Sequence, residues 1–123
     1  MRLTFPLIAP PVIAVAVALA GGAARAATGQ DLFNANCADC HTLDGASDSA
    51  PSLKGVMGRK IASLSNFQYS DALKAKAGQA WTDAALNAFI AAPQAFAKGT
   101  SMFGGAPDPT QRQAIIAYLK TVK

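Results

Sequence analysis

The sequence contains no glutamate, one histidine, one tryptophan and two cysteines. Each shortage excludes something. The cysteines stand at positions 37 and 40, where a bridge would close only a tiny loop, so this is no disulfide-stapled scaffold. Two cysteines and one histidine also fall short of a four-ligand zinc site. Acidic side chains are few and all seven are aspartate, against 11 Lys and Arg, giving a formal net charge of only +4. That excess is too small for the basic stripe of a nucleic-acid-binding surface. No paired carboxylates, Ser/His/Asp set or phosphate-cradling loop points to hydrolysis or group transfer. The composition is neither collagen-like, coiled-coil nor disordered, and 123 residues suit one modest domain.

What is present divides into two segments. Residues 1–26 open with Met-Arg, continue in an apolar stretch and end at Gly21-Gly22-Ala23-Ala24-Arg25-Ala26. That is the pattern of an export signal, with cleavage expected after Ala26. The apolar core from Val12 to Leu19 is short for a bilayer-spanning helix, which needs about 20 residues, so an uncleaved membrane anchor is the lesser alternative to a cleaved signal. No cysteine lies near the cleavage point, so the new N-terminus has no site for a lipid. Losing Arg2 and Arg25 lowers the charge from +4 to +2. The apolar set of residues 27–123 is rich in alanine, a thin core for a domain of this size. Small domains with thin cores usually depend on a metal, a disulfide or a cofactor.

The expected architecture is all-α, with four to five short helices and long loops. Thr28 is a plausible N-cap, with Asp31 favourably placed in the first turn that follows. Phe33 and Cys37, four apart, share a face of that helix. The stretch 42–66, rich in Gly, Ser, Asp and Pro, reads as a loop long enough to wrap a ligand. Ser70-Asp71 could cap a short helix running through Ala77 and ended by Gly78. Thr82 caps a second, Asp83 to Ala91, ended by Pro93. Asp108-Pro109 starts the last, whose stripe is Ile115, Tyr118, Leu119 and Val122. No strand alternation of useful length is present.

The chemistry resides in Cys37-Ala38-Asp39-Cys40-His41, a C-x-x-C-H attachment signature for c-type haem. In a near-helical segment, positions three and four apart lie on one side. Two thiols can then add to the two vinyl groups of one porphyrin, while His41 meets the iron. A thioredoxin-like dithiol would need a βαβ context, which is absent. The only histidine is consumed here, so a second axial ligand must come from elsewhere. Met57 and Met102 are the candidates, with Lys60 and Lys98 as outsiders. Met102 follows the helices, and its loop can reach the haem face away from His41. Met57 also reads as a gap-filling core residue.

From Gly29 to Lys120 the chain resembles the class I cytochrome c family. Gly29 and Phe33 with Ile115 and Tyr118 match the family's contact between its first and last helices, where the glycine permits a close crossing. Ala50-Pro51-Ser52-Leu53-Lys54-Gly55 is similar to the family's G-P-x-L-x-G loop, and Gly58-Arg59-Lys60 follows at the family spacing. Asn66 to Asp71, Trp81 and Pro93 match in order, and Gly99-Thr100-Ser101-Met102 resembles the segment that delivers the sixth ligand. The resemblance implies a class I fold over residues 27–123 around one covalent haem c, attached through Cys37 and Cys40. It implies His41 and Met102 as iron ligands, and Pro51 as backbone partner of the His41 ring. Tyr69, Trp81 and Thr100 would bond the haem propionates, and Arg59 would offset their charge.

Departures from the family pattern are also legible. Phe89 replaces a tyrosine that often bonds the ligand methionine, and Leu73 replaces an asparagine of the same network. The lysine ring of mitochondrial members gives way to Asn36, Gln94, Ala95 and Ser101, which weakens the case for electrostatic steering. Phe103 takes the place of the haem-edge phenylalanine. The resemblance implies a periplasmic one-electron carrier, not an enzyme. Its partners would be redox complexes at the membrane surface, met transiently, with neither nucleic acid nor a small-molecule substrate involved. A dedicated haem subunit of a dehydrogenase or oxidase complex is the alternative, and a peroxidase-like or ligand-binding haem protein a more distant one.

Overall fold

Helix α1 (Gly29–Asn36) is fixed at its start by a reciprocal cap. The Thr28 hydroxyl accepts the Asp31 N–H at 3.1 Å, and the Asp31 carboxylate accepts the Thr28 N–H at 2.9 Å. The Thr28 N–H, joined by the Thr28 hydroxyl donating to the same carboxylate at 2.7 Å, holds the Asp31 carboxyl below its ordinary pKa. The structure, a computed structural model, describes residues 24–46 and 49–123 together with 6, 9, 11, 21 and 22. Most of the expected leader 1–26 therefore lies outside the described residues. Among them no helix is long and apolar enough to cross a membrane.

Four more helices follow, α2 (Asp71–Lys74), α3 (Asp83–Ala91), α4 (Pro93–Phe96) and α5 (Pro109–Leu119). The fold is all-α: among the described residues the only β pairing is an isolated antiparallel bridge between Lys60 and Ala80. The caps lie where the sequence places them. Thr82 accepts the Ala85 N–H at 3.1 Å and Asp108 accepts the Gln111 N–H at 2.9 Å. Two elements differ from expectation. Ser70 does cap α2, but the helix stops at Lys74 instead of Ala77. The chain then tightens into turns, with Lys76 N–H donating to Leu73 O and Ala77 N–H to Lys74 O. Pro93 does end α3, yet it also occupies the first turn of the four-residue α4, where its missing N–H costs nothing.

The core is assembled where α1 crosses α5. Phe33, Ile115, Ile116 and Leu119 are buried, and the Phe33 and Tyr118 rings meet with centroids 5.7 Å apart. Each such large side chain contributes about 1.5–3 kcal/mol on burial. The crossing depends on Gly29. A Cβ there would lie 2.2 Å from the Ala114 carbonyl oxygen and 2.9 Å from Tyr118 Cβ, closer than any side chain allows. Ile116 is buried although it falls outside the expected stripe, because α5 also packs against α3.

The described residues of 42–66 form no helix, but they are not slack. Val56 and Ile61 are fully enclosed. Residues 58–61 pair with 79–81: Gly58 N–H donates to Trp81 O, Trp81 N–H to Arg59 O and Ile61 N–H to Gln79 O, at 2.8–2.9 Å. This short ladder fixes Arg59 and Trp81 relative to each other.

Candidate functional site

The C-x-x-C-H segment begins where α1 ends. Cys37 is the C-cap, and the chain makes one more turn, with Cys40 N–H and His41 N–H both donating to Cys37 O at 3.2 and 2.9 Å. The turn keeps both thiols and the imidazole on one cavity wall. Neither cysteine is in a disulfide. Burial pushes the Cys37 thiol up to about 11, while Cys40 is exposed.

His41 is oriented by its neighbour loop. Its Nδ1 lies 2.7 Å from Pro51 O. A carbonyl can only accept, so Nδ1 carries a proton, and in the neutral ring Nε2 then keeps its lone pair. Burial lowers the imidazole pKa; the Pro51 bond opposes this, and the Arg59 charge adds to it. The outcome is a neutral ring with one free nitrogen, the state a metal ligand requires.

One cavity, of about 170 Å³, is lined by all eight residues that the resemblance assigns to the haem and its iron: Cys37, Cys40, His41, Arg59, Tyr69, Trp81, Thr100 and Met102. Met57 does not line it and packs, partly buried, against the core. Arg59 is neither a free surface charge nor fully satisfied. Its terminal nitrogens donate to Lys54 O at 3.1 Å and Ser52 O at 2.9 Å, whereas its buried Nε has no hydrogen-bond partner among the described residues. Burial lowers the guanidinium pKa, and the nearby Tyr69 phenol opposes that shift. Trp81 stacks on Phe89 and Phe96, with centroids 5.2 and 5.8 Å away. Tyr69 meets Phe67 edge-on at 5.0 Å. Thr100 is buried, and its hydroxyl accepts the Met102 N–H at 3.4 Å.

The cavity suits a haem on its own chemistry. Two thiols, a neutral imidazole and a thioether converge in an apolar enclosure, and the unpartnered Arg59 Nε offers a buried donor for an anionic carboxylate. The remaining walls are largely apolar, including Leu53, Val56, Leu86 and Ile90. Leu53 and Val56 were not legible as wall residues, because the 42–66 segment carries no period that would assign them a face. Gln94 was also missed: its side chain bonds the loop that carries Met102. Only its position beside that segment in the chain hinted at this.

A helical protein whose cavity gathers both thiols, the imidazole and a thioether at a C-x-x-C-H turn is a c-type haem protein in its architecture. The comparisons narrow the class. The sequence profile described as Cytochrome c matches residues 26–123. The chain is 39% identical over 114 residues to a cytochrome c-type cyt cy of Rhodobacter capsulatus, covering 92% of this chain and 56% of that protein's length. It is 42% identical over 97 residues to cytochrome c2 of Rhodopila globiformis, covering 77% of this chain and 91% of the other. Among solved structures, cytochrome cH from Methylobacterium extorquens superposes with a TM-score of 0.68 at 40% identity, over 76% of this chain and 94% of that one. The chain belongs to the cytochrome c family. It is an electron-transfer protein, not an enzyme, and it works between redox partners. Its cofactor is covalent haem c, for which the turn at 37–41 supplies the two thiols.

Proposed function

We propose that the protein is an exported, periplasmic one-electron carrier, cleaved after Ala26, whose haem iron is held by His41 and Met102. The observation that carries this reading is the convergence of eight residues, scattered from 37 to 102, on one cavity wall system. When bound, the haem supplies an iron that gains and loses one electron. The chain supplies everything else. Pro51 fixes the His41 ring and so aims Nε2. A thioether partner from Met102 favours the reduced state relative to stronger donors. Tyr69, Trp81, Thr100 and Arg59 serve the propionates. Leu73 and Phe89 are both buried cavity walls, so neither offers Met102 the hydrogen bond that an asparagine or tyrosine would. The apolar walls exclude water.

The rim supports a particular kind of encounter. Phe103 is 87% exposed beside Met102, and Arg59 is the only charged residue lining the cavity among the described residues. The proposed partners are redox complexes at the membrane surface, met through small and transient contacts. Electron-transfer rates with them should change little with ionic strength.

The deciding experiment has two parts. The intact mass of the exported protein should equal the chain from Ala27 plus one haem that resists acid–acetone extraction. The oxidised protein should show a methionine–iron charge-transfer band that Met102→Ala abolishes and Met57→Ala leaves in place. The reverse pattern would move the ligand to Met57.

A further inference from the structure

The loop that carries Met102 has little regular structure to hold it. Thr100 N–H donates to Ala97 O at 3.0 Å, and the chain is next anchored where Ala106 N–H donates to Ile90 O at 2.9 Å. Between these points the hydrogen bonds that reach Met102 among the described residues come from side chains. One is Thr100, already placed in the cavity. The other is Gln94, an exposed residue of α4 that does not line the cavity. Its Nε2 donates to Thr100 O at 2.7 Å and, more weakly, to Met102 O at 3.4 Å, while its Oε1 accepts the Gly99 N–H at 3.1 Å. An amide side chain has two donors and one acceptor oxygen. Here both ends are committed to the same four-residue segment, so the flip of the amide is fixed by its partners.

We propose that Gln94 is a positioning residue for the sixth ligand: by bonding the carbonyls on either side of the Met102 peptide unit, it sets how firmly the thioether is held at the iron. This rests on the reading of Met102 as ligand. Gln94 touches neither haem nor substrate and acts through the loop backbone. Its donor bonds are the essential ones, because they reach Thr100 and Met102, whereas the acceptor bond reaches only Gly99.

The test is a titration of the oxidised holoprotein with imidazole, which competes for the sixth position, followed by the methionine–iron charge-transfer band. Gln94→Ala should bind imidazole about tenfold more tightly than the wild type, the scale of one to two lost hydrogen bonds. Haem content should not change. Gln94→Glu keeps the acceptor and loses the donors, so it should behave like Gln94→Ala. Gln94→Arg can still donate to the carbonyls and should restore most of the wild-type affinity. Imidazole binding by Gln94→Ala within twofold of wild type would overturn the proposal, as would a Gln94→Glu protein that matches wild type. Met102→Ala separates the two readings. If it keeps the band, the ligand assignment fails. If it loses the band while Gln94→Ala does not loosen the ligand, only the role of Gln94 fails.

Discussion

The two proposed iron ligands arrive by different routes. His41 sits at the end of a capped helix, in a turn with two backbone bonds to Cys37 O, its ring tied to Pro51. Met102 sits in a loop without regular structure, held by Thr100 and Gln94 side chains. The first side is built from neighbours in sequence and backed by the α1–α5 crossing. The second depends on contacts that can be lost one at a time. A carrier needs both ligands to persist through electron transfer, and the contrast says which one yields first under stress.

The largest effect should come from striking the first side at its covalent root. The double variant Cys37→Ala/Cys40→Ala should retain no haem after acid–acetone extraction, whereas Met102→Ala should retain all of it. Haem that stays with the double variant would erase the distinction between the two sides. Next in size is Gly29→Ala. A methyl group there meets the Ala114 carbonyl oxygen, so the helices must part, at a cost of about 1–3 kcal/mol. Chemical denaturation of the holoprotein would read this as a lower midpoint.

Gly105→Ala strikes the second side in a comparable way. Gly105 has φ +156°, and a Cβ there would lie 2.4 Å from Ile90 O. The expected outcome is a weakened methionine–iron band with a smaller loss of global stability than Gly29→Ala. Equal losses of stability would mean that the loop is as integral to the fold as the crossing. The smallest effect belongs to the α1 cap. Thr28→Ala should cost about 1 kcal/mol of unfolding free energy. The Asp31 carboxyl is held below its ordinary value of 3.8 in the folded state, so it stabilises the fold above that value and loses the contribution as pH falls through its lowered pKa. Asp31→Asn should therefore differ most from wild type near neutral pH and converge with it in acid.

Much of the fold was legible because local signals and packing agreed. Thr82 and Asp108 cap α3 and α5 as expected, and the Gly29 contact with α5 follows from the family resemblance. The C-x-x-C-H turn was readable because its chemistry is set by spacing. The end of α2 was not, since nothing in Ala75 to Ala77 opposes a helix; the chain leaves it to reach the pairing of 79–81 with 58–61. Helix α4 was hidden because Pro93 reads as a terminator more readily than as a first-turn residue. In the site, residue types identified the haem-facing groups, but not the wall made by Leu53 and Val56 or the bonds made by Gln94. Those depend on how irregular segments settle against one another, which leaves no periodic trace.

The α1–α5 crossing has a topological consequence. It joins segments from the two ends of residues 27–123, so the chain between them forms a ring around the cavity, and all eight residues expected to serve the haem lie on that ring. Closing so long a loop is entropically costly, and contacts so distant in sequence form slowly compared with local ones. The cavity can be complete only once the ring is shut. Its integrity is thus tied to a clasp between Gly29, Phe33, Ala114 and Tyr118, a contact that none of the eight residues makes.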